Sequence, residues 1–135
     1  MPPCRYWSRQ VTYLHFANAP NGYPGNDDYG AMSSFLLSAA IGLFPSPGLG
    51  IYMIGSPRVK SITLQLQLFK GQSTYSTLQV VTYNNSKENT DVEKLLVNGV
   101  EWTSAFIDRN VLADPSGVKL EFYMSATKAS GLCTK

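Results

Sequence analysis

The pattern of hydrophobic and polar residues divides the chain into a helical first part and a strand-rich second part. Residues 30–41 are rich in Ala, Leu, Met and Ser, and they predict a helix. After Pro47 the hydrophobic period becomes two, and the alternation over residues 62–68 is typical of a half-buried antiparallel strand. Asn98-Gly99 between two apolar runs predicts a hairpin with a type I′ turn. Further strands are predicted at residues 51–54, 78–83, 92–97, 100–102 and 118–124.

The helix predicted at residues 30–41 has signals at both ends. Asn26, Asp27 or Asp28 can cap its start, Gly42 fits the position after its last turn, and Pro45 prevents continuation. The helix is apolar nearly all round, which is typical of a helix that is surrounded by protein. One small sheet cannot surround it, so the sequence suggests a helix that belongs among other helices. A second apolar run at residues 11–16 predicts the end of another helix, truncated at its start.

Composition places the chain among globular proteins. Its 135 residues are 44% hydrophobic and 15% charged, and the net charge is +2, which excludes disordered and coiled-coil classes. There is no cluster of Lys and Arg, so nucleic acid is not an expected partner, and Arg5 and Arg9 are expected to face water. The longest apolar stretch, residues 35–44, is too short to span a bilayer. Cys4 and Cys133 lie at opposite ends and would form a disulfide only if the termini meet.

The acidic residues are unevenly distributed along the chain. Of the nine Asp and Glu residues, the first 87 positions hold only Asp27 and Asp28. They lie where a Pro- and Gly-rich loop meets a helix N-terminus, and capping there contributes roughly 0.3–1 kcal/mol for each carboxylate. Capping alone accounts for acid at this place. The functional alternative is a general base or a metal ligand, because the helix dipole keeps a carboxylate ionised at neutral pH.

Several motifs together resemble a known family. They are GYPGNDD at 22–28, GAMSS at 30–34, GLFP at 42–45 and IYMIGSP at 51–57. The strand at 78–83, VNG at 97–99, Trp102 and LEFYMS at 120–125 also fit, so the likeness covers about residues 6–125. In these motifs the chain resembles the C-terminal part of glycoside hydrolase family 92, the calcium-dependent, inverting exo-α-mannosidases.

The resemblance implies a fold. The family joins an N-terminal β-sandwich to an (α/α)6 barrel, and the helix at 30–41 would be a late helix of that barrel. The chain is therefore expected to be an α+β fragment, in which a barrel helix precedes a mostly antiparallel β segment. Residues 1–46 would be a remnant of the catalytic barrel with the acidic loop, and residues 47–135 a β-rich C-terminal segment.

The resemblance also implies a chemistry, the hydrolysis of terminal α-mannosides of glycans. Asp27 and Asp28 match the family's general-base side, and Asp28 is the favoured base. The family's calcium holds sugar hydroxyls, and oxygen ligands suit this hard cation. Most of its ligands are expected outside this chain, and no metal ligand is assigned within it. The substrate-binding residues implied by the same loop are Tyr23, Gly25, Asn26 and Tyr29.

The chain departs from the family in one chemical respect above all. The family's general acid is a glutamate far upstream in the barrel, and this chain has no carboxylate before Asp27. We therefore expect the isolated chain to be inactive, with the barrel and the N-terminal sandwich supplied by a longer, secreted or secretory-pathway parent. The first ten residues have no apolar stretch of a signal peptide. The alternative is a non-catalytic, β-rich carbohydrate-binding or structural module.

Overall fold

The computed structural model of the chain describes residues 4–127, and side chains from residue 6 onward. Cys133 and the side chains of Cys4 and Arg5 lie outside this description, and with them the conditional disulfide between the two cysteines. In chain order the elements are α1 (Cys4–His15), α2 (Ala31–Ile41), β1 (Leu43–Ser46), β2 (Ile51–Ile54), β3 (Ser61–Leu66), β4 (Ser76–Tyr83), β5 (Asp91–Val97), β6 (Val100–Glu101), β7 (Phe106–Asp108), α3 (Arg109–Leu112) and β8 (Val118–Ser125).

The strands form two sheets. A three-stranded antiparallel sheet has the order β1-β2-β7, and a five-stranded sheet has the order β3-β4-β8-β5-β6. The expected antiparallel character is confirmed for every pair except β4 and β8, which run parallel at the centre of the larger sheet. The predicted turn at Asn98 and Gly99 joins β5 to β6, and both residues have positive φ (49° and 80°), as a type I′ turn requires.

The ends of α2 confirm the predicted helix to within one residue. Gly30 precedes the first turn with φ 88°, and Gly42 follows the last turn with φ 77°. The Gly42 N–H donates to the Ser38 carbonyl oxygen at 2.8 Å, which satisfies one of the free carbonyls at the helix end. Helix α1 is much longer than the helix end predicted at residues 11–16, and its last residue is His15.

One hydrophobic core joins the two sheets. Phe122, Leu95 and Val80 are 0% exposed at its centre, and Ile107 and Leu43 bring the three-stranded sheet into the same cluster. Because β1 begins before residue 46 and pairs with β2, hydrogen bonds and core contacts both cross the proposed boundary at 46/47. The division into a barrel remnant and a β-rich segment therefore stays a prediction about the parent, since in this chain the two parts share one core.

The two long helices keep apolar side chains in contact with solvent. Trp7 is 55% exposed and Leu14 72% exposed on α1, and Leu37 is 54% exposed on α2. Within α2, Ala39 is the fully buried residue. No described helix has the length and apolar character needed to cross a membrane.

The position of Arg9 corrects one expectation from the sequence. The side chain was expected to face water, but it is 1% exposed. Its guanidinium group donates hydrogen bonds to acceptors in the loops after β2 and β4, among them Asn85 Oδ1 at 2.8 Å and the Ser86 carbonyl oxygen at 2.9 Å. The expectation failed because these acceptors lie 47–80 residues further along the chain and have no signal near Arg9. Arg9 thereby fastens α1 to the strand-rich part.

Candidate functional site

The acidic loop reaches α2 through an unusual backbone path. Asp28, Tyr29 and Gly30 have successive positive φ values of 48°, 59° and 88°. Glycine adopts this left-handed region freely and Asp tolerates it, whereas for a residue such as Tyr it costs roughly 1–2 kcal/mol. Asp28 and Tyr29 are both exposed to solvent, Tyr29 completely. Backbone strain of this kind is common at functional sites.

Asp27 is held by the first turn of α2. The Ser33 N–H donates to Asp27 Oδ1 at 2.8 Å, and the Ser33 hydroxyl donates to Asp27 Oδ2 at 2.8 Å. The carboxylate therefore satisfies one of the free N–H groups at the helix start, which is the structural role that capping predicts. Both carboxylate oxygens accept hydrogen bonds from Ser33, so Asp27 is a fixed and half-buried residue.

Asp28 differs from its neighbour in every one of these respects. It is exposed, and no hydrogen bond to its carboxylate forms within residues 6–127. Its contribution to the helix start is made by its backbone, since the Ala31 N–H lies 3.3 Å from its carbonyl oxygen. Asn26 and Gly25 are also exposed. The loop thus presents the Asp28 carboxylate to solvent beside a carboxylate that is already occupied.

Tyr23 is the predicted substrate-binding residue that the structure connects to the acidic pair. Its hydroxyl lies 3.2 Å from Ser33 Oγ, and Ser33 in turn donates to Asp27. The Tyr23 ring makes an edge contact with Phe16 (centroids 5.8 Å apart) and is 43% exposed. The structure does not bring Tyr29, at the opposite end of the acidic pair, into any comparable contact among the described residues.

A cleft of about 550 Å³ lies beside Tyr23. Its volume falls within the range of small-molecule sites, about 300–1,000 Å³. Aromatic, aliphatic and polar groups surround it, and one side chain is cationic, that of Arg58. The lining consists of Phe16, Tyr23, Leu36, Arg58 and the turn at 17–22.

A group of positive charges surrounds Tyr13 near this cleft. The Arg58 guanidinium lies 4.1 Å from the centre of the Tyr13 ring, and Lys87 Nζ lies 6.0 Å from it. The Arg9 guanidinium approaches the Tyr13 hydroxyl at 3.2 Å. Burial raises the pKa of Tyr13, but the Arg9 hydrogen bond and the charges of Arg9 and Arg58 lower it by more, so the pKa lies below its ordinary value. Tyr13 fixes the position of Arg58 beneath the cleft.

The described residues offer few ligands for a metal ion. Within residues 6–127 no three His, Cys, Asp or Glu side chains come together. At the acidic loop, the oxygen donors are the carboxylate of Asp28 and the side-chain amide of Asn26, since Asp27 is engaged by Ser33. These donors have the chemistry that calcium prefers, but calcium takes six to eight oxygen ligands. The described residues therefore supply part of such a shell at most.

Sequence reasoning missed two residues of this region. Ser33 has no chemical motif of its own in the sequence, but its contact with Asp27 could have been found from the position of the helix start. Arg58 has no motif around it, because only the folding of β2 and the following loop against α1 places it beside Phe16 and Tyr23. Asp108 and Asp114 serve as a cap and a turn residue: Asp108 Oδ1 accepts from the Asn110 N–H, and Asp114 Oδ1 accepts from the Ser116 N–H.

Comparison with known proteins identifies the class of protein to which the chain belongs. The model of the glycosyl hydrolase family 92 catalytic domain matches residues 4–126. An uncharacterized secreted glycosidase of Arthroderma benhamiae is 35% identical over 101 residues, which are 73% of this chain and 13% of that protein. The matched proteins are thus glycoside hydrolases.

Solved structures agree with this class. A family 92 α-mannosidase from Bacteroides thetaiotaomicron, in complex with mannoimidazole, is 32% identical with a TM-score of 0.82, over 93% of this chain and 16% of that one. A family 92 inverting mannosidase from the same species is 28% identical with a TM-score of 0.77, over 92% and 16%. The chain belongs to glycoside hydrolase family 92, and it spans about one sixth of the length of these structures.

Proposed function

We propose that this chain is the C-terminal part of an inverting exo-α-mannosidase and that Asp28 is its general base. The observation that carries the proposal is the contrast within the acidic pair. Asp27 has both carboxylate oxygens engaged by Ser33, and Asp28 presents a free carboxylate to solvent. In an inverting glycosidase the base must contact a water molecule, which an exposed and unoccupied carboxylate is able to do.

The chemistry follows from the position of Asp28. Its carboxylate accepts a proton from a water molecule as the water oxygen attacks the anomeric carbon of a terminal mannoside. On the opposite face of the sugar, a carboxylic acid must protonate the leaving oxygen, at about 6.5–9.5 Å from the base. Adjacent Asp27 cannot take that role, because it lies on the same side and is held by Ser33.

In our proposal, this chain lacks the general acid. Apart from Asp27 and Asp28, every carboxylate lies between residues 88 and 121, on or beside the strands. The glutamate that would act as general acid belongs to the rest of the enzyme. We therefore expect the 135-residue chain alone to have negligible mannosidase activity.

The helices support the same proposal from another direction. Exposed apolar residues on α1 and α2, such as Trp7, Leu14 and Leu37, need a protein covering. We propose that further helices of an (α/α)6 barrel provide it, with α2 as a late barrel helix. The acidic loop at the start of α2 would then open towards the inside of the sugar-binding pocket.

In our proposal, this chain and the rest of the enzyme would bind calcium together in this pocket. Asn26 would provide an oxygen donor, and the remaining ligands would come from the rest of the enzyme, water and sugar hydroxyls, which leaves the Asp28 carboxylate free to act as the base. When bound, calcium would supply electrostatic stabilisation and orientation of the sugar hydroxyls. What this chain itself does is to position the base and the loop around it.

The direct test uses a chimera, because the isolated chain is expected to be incomplete. This chain replaces the matching segment of the B. thetaiotaomicron α-mannosidase, and hydrolysis of an aryl α-mannoside is measured. We expect Asp28→Asn to lower kcat by about 10²–10⁴-fold, the usual contribution of a general base. Asp114→Asn is the matched control, since its carboxylate caps a remote turn at Ser116 and should not affect kcat.

Two results would contradict the proposal. An active chimera that retains full kcat after Asp28→Asn would remove Asp28 from the base role. Clear turnover by the isolated 135-residue chain, abolished by Asp28→Asn, would show instead that the chain holds its own general acid. The second assay is made with calcium present, so that absence of the ion does not account for an inactive chain.

A further inference from the structure

One motif of the sequence takes no part in the proposed mechanism. Asn84-Asn85-Ser86 has the pattern Asn-x-Ser with a middle residue other than Pro, and no second Asn-x-Ser or Asn-x-Thr occurs in the 135 residues. In proteins of the secretory pathway this pattern marks an asparagine that receives an N-linked glycan, provided that it lies in a surface loop. The surroundings of the motif in the fold therefore decide whether it is usable.

The two asparagines of the motif have opposite surroundings. Asn85 is half-buried, its Oδ1 accepts from Arg9 at 2.8 Å, and its Nδ2 donates to the Val59 carbonyl oxygen at 3.1 Å. Asn84, the first residue after β4, is exposed, and its side-chain amide forms no hydrogen bond within residues 6–127. The fold thus occupies the Asn85 amide and leaves the Asn84 amide accessible.

The loop after β4 holds together without the side chain of Asn84. The backbone of Asn84 has φ 56°, in the left-handed region that Asn tolerates better than most residues. Its carbonyl oxygen accepts from Asn89 Nδ2 at 2.7 Å, so Asn84 contributes to the loop through its backbone. A glycan on the side-chain nitrogen would therefore break none of the described hydrogen bonds.

From these surroundings we propose that Asn84 carries an N-linked glycan when the chain passes through a secretory pathway. The co-substrate is a lipid-linked oligosaccharide diphosphate. Asn84 Nδ2 forms a bond to C1 of its first sugar, the bond from C1 to the diphosphate oxygen breaks, and the diphosphate leaves with the electron pair. One of the two Nδ2 protons passes to a base of the transferase. The Arthroderma benhamiae relative is a secreted glycosidase.

The hydroxyl of Ser86 sets the order of events. In the fold, Ser86 Oγ accepts from the Asn89 N–H at 3.1 Å and donates to the Glu88 carboxylate at 2.9 Å. The motif requires this hydroxyl, so the transfer precedes the closing of the loop on Arg9. In the finished fold the glycan then lies at the surface, and the rest of the enzyme leaves this loop uncovered. The inference goes beyond the proposed function and does not depend on the role of Asp28.

The test follows one peptide of the chimera with the B. thetaiotaomicron α-mannosidase, produced behind a cleavable signal peptide in a eukaryotic host. Trypsin releases residues 71–87 together, because Lys70 and Lys87 are successive cleavage sites. We expect this peptide to carry a glycan that peptide N-glycosidase removes. Removal in heavy-oxygen water should leave a labelled Asp at position 84 and none at position 85. Cell lysate and medium are both analysed by mass spectrometry, so poor secretion does not hide the modification.

Variants separate the motif from its surroundings. Asn84→Gln and Ser86→Ala should each abolish the glycan on this peptide, whereas Ser86→Thr keeps the hydroxyl and should retain it. Asn98→Gln is the matched control, since Asn98 is also exposed and follows a strand with φ 49°, but has Val100 where the motif needs a hydroxyl. It should leave the glycan unchanged.

Two results would overturn the proposal: an unmodified peptide 71–87 in both lysate and medium, or a glycan on this peptide that survives Asn84→Gln. If the peptide is modified in the lysate but the chimera in the medium is unmodified, the glycan is incompatible with the assembled enzyme, and the surface position of the loop is wrong. None of these results bears on Asp28, whose variants are assayed separately.

Discussion

The five-stranded sheet and the two long helices bury their apolar residues to different degrees. In the sheet, alternate residues of β8 point into a shared core, where Leu120 and Phe122 are 0% exposed. In the helices, Leu14 and Leu37 are more than half exposed. A strand has to hide one face and the second sheet covers it, whereas α2 is apolar around its whole circumference. The sheet therefore completes its own core within this chain, and the helices do not.

The largest effect should come from opening the sheet core. We expect Phe122→Ala to lower the free energy of unfolding by about 3–5 kcal/mol, because it removes a fully buried ring and leaves a cavity. Urea unfolding followed by circular dichroism measures this. Phe106→Ala removes the same side chain where it is 45% exposed and should cost less than about 1 kcal/mol. Equal losses would contradict the closed core.

The next largest effect should come from removing Arg9, which links α1 to the strand-rich part. We expect Arg9→Met to cost about 2–4 kcal/mol, since it leaves buried acceptors on the loops after β2 and β4 without their donor. Arg109→Met is the matched control, because that arginine is exposed and stacks on Phe69 at 4.5 Å, a contact of about 0.5–1 kcal/mol. If Arg9→Met costs no more than the control, α1 is not fastened by this residue.

Substitutions of Asp27 and Asp28 should also differ in their effect on the free energy of unfolding. We expect Asp27→Ala to cost about 1 kcal/mol, because the free N–H of Ser33 loses its cap. Asp28→Asn should change the free energy of unfolding by less than about 0.5 kcal/mol, since the carboxylate is exposed and Asn tolerates the left-handed backbone. Thermal unfolding of the two variants measures the difference. A larger loss for Asp28 would mean that it, too, is structural.

The smallest expected effect concerns the exposed helix face. Leu37→Gln should change the free energy of unfolding of the isolated chain by less than about 0.5 kcal/mol, because Leu37 is 54% exposed and both residues favour helices. Its effect should appear instead in sedimentation, as reduced self-association of the apolar face. In the chimera with the full enzyme, the same change should lower stability, because helices of the barrel would then cover Leu37. Equal behaviour in both settings would contradict the proposed covering.

Local sequence patterns predicted most of the regular elements. They failed for strands that form only through pairing with another strand. Strands β2 to β5 and β8 follow apolar alternation or apolar runs, and α2 has glycine signals at both ends, so neighbouring residues were sufficient to predict them. Strands β1 and β7 were not predicted, because each is three or four residues long and exists through its pairing with β2. The parallel pairing of β4 with β8 joins residues about 40 positions apart, a distance at which alternation carries no information.

The sequence by itself determined the family and the place where chemistry is proposed. The GYPGNDD and GAMSS motifs are local, and the acidic pair stands alone among the first 87 residues. Tertiary structure alone decided the surroundings of each residue of that pair: Ser33 of α2 donates two hydrogen bonds to the Asp27 carboxylate, and Asp28 lies exposed on a left-handed backbone. It also buried Arg9 and placed Arg58 at the cleft beside Tyr23. Charge and composition are properties of single positions, whereas burial and occupancy depend on residues brought together from distant parts of the chain.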